Sequence, residues 1–251
     1  MTTSFLVISL LSSLLFFILS FSSNAMRIQR GLLFDVDGTL SDSFRLGFES
    51  TQKVLTDNGY RLINEDEYHQ GTRFTTPARL AWHSTGEPNG DSAVGIELGR
   101  QFDEMYVQLV STETAPLYDG ILPMLENIKS KLGSDLKLGA LSNACGAYVE
   151  AVLKVNGLTE DFGVALGADQ VRKPKPMADG LLQCCSVLGI NPTACVYIGD
   201  SPSDGAAAAA AGMPSIGVTW GSHPEENVRK AFTRTVTTIP ELEEAIFEVL
   251  S

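Results

Sequence analysis

The chain has 251 residues, with 30 acidic against 18 basic side chains and a formal net charge of -12. That surplus of negative charge excludes a nucleic-acid binder, whose phosphate-facing surface needs lysine and arginine. A hydrophobic content of 44% suits a chain that buries a proper core in one or two domains, and excludes disordered or collagen-like structure.

Every charged side chain lies at or beyond Arg27. Residues 5–21 are almost wholly apolar, broken only by serines, and partition into a bilayer rather than packing on a soluble core. With small residues at Ser23 and Ala25, residues 1–25 are expected to be a signal peptide or membrane leader, cleaved so that the mature chain begins at Met26. That reading routes the protein to the secretory pathway or an organelle, with membrane contact only through residues 1–25. Translation starting at Met26 would make it cytoplasmic instead.

Residues 31–36 form a short apolar run of the buried-strand type, closed at Asp37 by an Asp-Gly turn signal. Helical spacing over 44–55 and 96–110, with little β-branched clustering between, marks residues 43–115 as a helical insertion. From Pro116 the pattern becomes regular: a helix over 121–132, a strand over 136–141, a helix over 147–155, a weak strand over 164–167 and a helix over 177–188. A strand over 195–198, an alanine-rich helix over 203–211 stopped by Gly212, a strand over 215–218, an edge strand at 235–236 and a helix over 240–250 complete the chain. Strands alternating with helices predict an α/β fold: a Rossmann-like parallel sheet formed by residues 26–42 and 116–251, with the helical cap inserted after its first strand.

Cys145, Cys184, Cys185 and Cys195 make no CxxC pair and read as buried free thiols. His69, His83 and His223 read as solvated or capping residues.

In such a sheet, ligands bind outside the carboxyl ends of the strands. Asp35 and Asp37 follow the first strand there, and Ser142 and Asn143, which can donate to an anion, follow the second. Lys173 and Lys175 lie in a Lys-Pro-Lys-Pro run before a helix, and Asp200 and Asp204 follow the strand at 195–198. Carboxylates crowded at one crevice repel each other, and a hard divalent cation with oxygen ligands, Mg²⁺ above all, offsets that cost. A cation, a lysine and hydroxyl donors around a nucleophilic carboxylate make a phosphoryl-transfer site.

DVDGTL, LSN, KPKP and GDSPSD, in this order and spacing, resemble the four motifs of the haloacid dehalogenase-like hydrolase superfamily, over residues 31–218. The small cap between the first two motifs and the Pro-Leu-Tyr-Asp-Gly at 116–120 are most similar to the phosphoglycolate phosphatase branch. The resemblance implies a Mg²⁺-dependent phosphatase acting on a small phosphorylated metabolite through an aspartyl-phosphate. Asp35 would be the nucleophile and Asp37 the acid and base. Asp35, the Asp37 carbonyl and Asp200 would hold the metal, with Asp204 supporting them. Ser142, Asn143 and Lys173 would bind the phosphoryl group; Lys173 fits the motif because it precedes Pro-x-Pro, which leaves Lys175 as surface charge.

In the cap, Gly71-Thr72-Arg73 presents a turn and a guanidinium able to fork onto a substrate carboxylate. A phosphomutase would keep the same core motifs, and a catalytically idle tethered binding protein would have lost one of them. Dehalogenation is disfavoured because the second aspartate of the DxD pair is present. The substrate itself and the oligomeric state are not written in these residues.

Overall fold

A computed structural model describes residues 29–250; the predicted leader lies outside the described residues. Six parallel strands form one sheet in the order β3-β2-β1-β4-β5-β6. They are β1 (Arg30–Phe34), β2 (Leu136–Leu141), β3 (Phe162–Leu166), β4 (Cys195–Gly199), β5 (Ser215–Val218) and β6 (Arg234–Val236). The chain winds outward from β1 through β2 and β3, then returns to β4 on the other side of β1, so the winding reverses between β1 and β4. That reversal opens a crevice at the strands' carboxyl ends.

Alternation along β1 divides the core. Leu32 and Phe34 face one layer with α5 (Ile121–Leu132), α6 (Gly146–Val155) and α10 (Ile239–Leu250), while Leu33 faces α7 (Asp179–Leu188) and α8 (Pro202–Ala211). Both faces are buried, which is why the strands read as unbroken apolar runs rather than as alternating ones. A further helix, α9 (Glu225–Ala231), packs on α8 and β5.

Between β1 and α5 the chain forms α1 (Phe44–Asp57), α2 (Glu65–Gly71), α3 (Thr76–Thr85) and α4 (Ala93–Gln108). Helix α1 buries Leu46, Ser50 and Val54 at successive fourth positions, the stripe of a helix with one face inward. Helices α2 and α3 lie within the expected helical insertion, though the sequence gave them no bounds of their own, and α9 was not expected. Two are seven residues long and rich in charge, and α3 has Pro77 in its first turn, so none shows a sustained apolar period. A local signal did exist for α2: Asn64 caps the Glu67 amide while the Glu67 carboxylate receives the Asn64 amide.

Candidate active site

The pairing of Phe34 with Ala140 on one side and Ile198 on the other brings the ends of β1, β2 and β4 to one edge. Asp35 follows β1 there, its amide donating to Ile198 O at 2.8 Å; Ser142 follows β2, and Asp200 follows β4. Asp204 stands in the first turn of α8, where the Ser201 amide and hydroxyl both donate to its Oδ2 at 3.0 and 2.7 Å. The capping box that starts α8 therefore also fixes a carboxylate of the site.

Asp35, Asp200 and Asp204 are all buried, with carboxylate oxygens within 4.8 Å of one another. The cation among them is Lys175, not Lys173. Lys175 is 5% exposed, and its Nζ donates to Asp35 Oδ1 and Asp204 Oδ1, each at 2.7 Å, and to the Tyr197 hydroxyl at 3.2 Å. Lys173 is exposed and takes no part in the cavity. The reason lies in the loop's anchoring. The Asn143 side chain brackets the Lys175 backbone, accepting from its amide and donating to its carbonyl, both at 3.1 Å, and so turns that residue inward. Asn143, expected to bind phosphate, thus uses its amide to place the lysine, although it also lines the cavity.

Electrostatics follow from burial. Desolvation, reinforced by Asp204, holds the Asp35 carboxyl well above its usual range, and desolvation with Asp204 pushes Asp200 up to about 7. Burial would also raise Asp204, but Lys175, Ser201 and Tyr197 outweigh it and bring that group down. For Lys175, burial would lower the ammonium's value, and Asp204 and Asp35 raise it instead. One lysine does not balance three carboxylates. Asp200 lies tight against the backbone: the Ser222 amide donates to it at 2.7 Å, and a β-carbon at Gly38 or Gly221 would come within 2.2 Å of its Oδ2. Gly38 also has φ +76°, so the Asp-Gly turn is needed both for its conformation and for its lack of a side chain.

This donor set fits a hard cation. Asp35 and Asp200 offer oxygens beside an uncompensated negative charge. Asp204 differs: Lys175 and Tyr197 donate to its Oδ1, and two groups of Ser201 to its Oδ2. Its place is behind the metal-facing pair, holding Lys175.

Asp37 is held by hydroxyls. Ser43, Tyr148 and Tyr106 donate to its Oδ1 at 2.6, 2.6 and 3.2 Å, and Ser142 donates to its Oδ2 at 3.0 Å. Tyr106 comes from α4 in the inserted helices and Tyr148 from α6 in the core, their rings stacked 4.1 Å apart. Ser142 thus meets Asp37 as well as the cavity. Sequence patterning gave no reason to single out Ser43, Tyr106, Tyr148 or Tyr197, and the motif match set Lys175 aside as surface charge.

Asp35, Asp37, Ser142, Asn143, Lys175 and Asp200 line a cavity of about 80 Å³, roofed by Phe44, Tyr68, Phe74 and Phe102 of the inserted segment. Arg73 is not in it. Its guanidinium lies over the Phe74 ring at 4.7 Å, exposed, beside a neighbouring hollow with Asp66 and Asn227. The guanidinium that does line the cavity belongs to Arg79. His223 lines it too, Nε2 lying 3.2 Å from the Thr72 hydroxyl, and His83 is buried with its ring held down to about 4 by desolvation and by Arg79. Of the histidines expected to be solvated or capping, His83 is buried and His223 is half-buried. The four cysteines are free and buried, as expected.

Comparison with known proteins agrees with this architecture. The profile of the haloacid dehalogenase-like hydrolases matches residues 32–218. The phosphoglycolate phosphatase of Xylella fastidiosa is 32% identical over 206 residues, covering 82% of this chain and 86% of its own. That of Xanthomonas campestris pv. campestris is 31% identical over 196 residues, covering 78% and 86%. Among solved structures, a protein from Bacteroides fragilis assigned to the haloacid dehalogenase-like hydrolases superposes with a TM-score of 0.75 at 26% identity, over 85% of this chain and 99% of that one.

Proposed function

The chain belongs to the haloacid dehalogenase-like hydrolases, in their phosphoglycolate phosphatase-like branch, and is a phosphoric monoester hydrolase; from that premise we propose that it dephosphorylates a small phosphorylated acid of the phosphoglycolate kind through an aspartyl-phosphate on Asp35. The observation that carries this reading is the meeting of Asp35, paired with Lys175 at 2.7 Å, with Asp37 and Asp200 in one small cavity.

In the first step a carboxylate oxygen of Asp35 attacks phosphorus, and the bond from phosphorus to the ester oxygen breaks with its electron pair moving onto that oxygen. Asp37 supplies the proton that makes it an alcohol. In the second step Asp37 takes a proton from water, the hydroxide oxygen attacks phosphorus, and the Asp35–phosphorus bond breaks to release phosphate and restore both carboxyl groups. Lys175 fixes Asp35 Oδ1 and ties it to Asp204, so the nucleophile does not swing away between the steps. Ser43, Tyr106 and Tyr148 crowd Asp37 Oδ1, which makes Oδ2, with Ser142 alone, the less encumbered oxygen for moving the proton. Asp35 and Asp200 would hold Mg²⁺, which when bound supplies the positive charge that keeps buried carboxylates ionised and draws electron density from the phosphoryl oxygens.

Asp35→Asn tests the proposal. The amide keeps the shape and removes the attacking anion, so hydrolysis of 2-phosphoglycolate should fall by roughly a thousandfold or more with the circular-dichroism spectrum unchanged. Acid-quenched wild-type enzyme should carry phosphate on Asp35 by peptide mass spectrometry. Near-wild-type turnover by Asp35→Asn would end the mechanism.

A further inference from the structure

Arg79, on α3, is 8% exposed, yet among the described residues no carboxylate forms an ion pair with it. A buried guanidinium without a counter-charge is costly, and folded proteins rarely keep one without a partner. Its Nη1 donates to the Tyr68 hydroxyl at 3.1 Å, and its guanidinium carbon lies over the Phe102 ring at 4.6 Å and the Tyr68 ring at 5.1 Å. These contacts position the group and offset part of the burial cost. They use few of its five N–H donors, and Nε has no partner at all. Asp103 is near enough to feel the Arg79 charge, but burial dominates that carboxyl and pushes it up to about 6, and its Oδ1 is unpartnered too. Asp103 forms no direct ion pair with Arg79.

Arg79 lines the same cavity as Asp35 and Asp37. Lys175, the other cation there, is already shared between two carboxylates. A ligand whose phosphoryl group meets Asp35 therefore has its far end beneath α3, where an unpaired fork of donors stands against aromatic walls. The cavity of about 80 Å³ admits a short ligand. Gly71 belongs to this arrangement, because a β-carbon there would come within 3.0 Å of Arg79 Cγ and 2.6 Å of His83 Nε2.

We propose that Arg79 receives the carboxylate of the substrate, so that the enzyme selects short phosphorylated acids over phosphate esters with a neutral far end. This rests on the phosphatase reading above. A bidentate carboxylate is what a guanidinium fork matches best, and the burial of Arg79 strengthens the pairing.

Steady-state kinetics of the full chain on 2-phosphoglycolate, p-nitrophenyl phosphate and a sugar bisphosphate test it. The wild type should favour 2-phosphoglycolate by about tenfold or more in kcat/KM. Arg79→Gln should reduce the ratio of kcat/KM for 2-phosphoglycolate to that for p-nitrophenyl phosphate by roughly 30-fold or more, chiefly through KM. Arg79→Lys, which keeps the charge but not the fork, should reduce it less, and it decides the matter if Arg79→Gln does not fold. An unchanged ratio in both variants, or a wild type that prefers the bisphosphate or the aryl ester, overturns the assignment of Arg79 while leaving the phosphatase standing. A wild type that hydrolyses none of the three overturns both.

Discussion

Exchanging the two lysines of the Lys-Pro-Lys-Pro run separates the structural site from the one suggested by sequence. Lys175→Met removes a buried ammonium that lies 2.7 Å from both Asp35 and Asp204, and leaves those buried carboxylates beside Asp200 without a cation. Breaking a buried pair by deleting one partner costs about 3–5 kcal/mol, because the remaining charge is uncompensated. The pH dependence has a definite sign. The Lys175 value is raised in the folded state, so its contribution is fully present below the ordinary lysine value, near 10.5, and is lost only as pH rises through the higher folded value. Between about pH 5 and 8 that contribution is constant. Any variation in the deficit over this window comes from Asp35, already raised and higher still without its cation, and from Asp204, which loses the charge that holds it down. The Lys175→Met variant should therefore be destabilised most at the alkaline end, and less where its carboxyl groups can take up protons. Urea unfolding followed by circular dichroism at the two pH values measures this, and phosphatase assays should show turnover down by orders of magnitude. Lys173→Met, an exposed change, should stay within about 0.5 kcal/mol and near wild-type activity. Loss of activity in Lys173→Met with a tolerated Lys175→Met would refute the reasoning.

The hydroxyls on Asp37 and the cation site give two more tests. Tyr148→Phe removes a 2.6 Å bond to Asp37 Oδ1 and should lower kcat by about 10- to 100-fold with a smaller change in KM, whereas Tyr106→Phe, losing a 3.2 Å bond, should cost less; pH–rate profiles that stay superimposable on wild type would deny these tyrosines a positioning role. Because the Asp200 value is raised to about 7, stability present below the ordinary aspartate value near 4 is lost as pH climbs towards 7, by a few kcal/mol in EDTA. Added Mg²⁺ should flatten that slope in a thermal-shift titration and restore activity lost to EDTA, with Ca²⁺ failing to restore it; full turnover in chelator-treated, metal-free buffer would contradict the cation's part.

Much of this protein is determined locally, and was legible for that reason. The apolar runs of β1, β2 and β4, the alternation after Pro116 and the Ser201, Pro202 and Gly212 signals around α8 depend on neighbours within a few residues. They sufficed for the parallel sheet, and for placing Asp35, Asp37, Ser142, Asp200 and Asp204 at its carboxyl edge. What the tertiary structure decided is which side chains turn inward from that edge. Lys173 and Lys175 are equivalent as neighbours of proline, and only the grip of Asn143, 32 positions earlier, turns the second one inward. Arg73 and Arg79 flank the same turn, and Gly71 admits the stem of the later one while the earlier lies out over Phe74. Tyr106 and Tyr148 meet on Asp37 from 69 and 111 residues away. Burial of a charge is a property of what packs around it, and those neighbours come together only once the chain has folded.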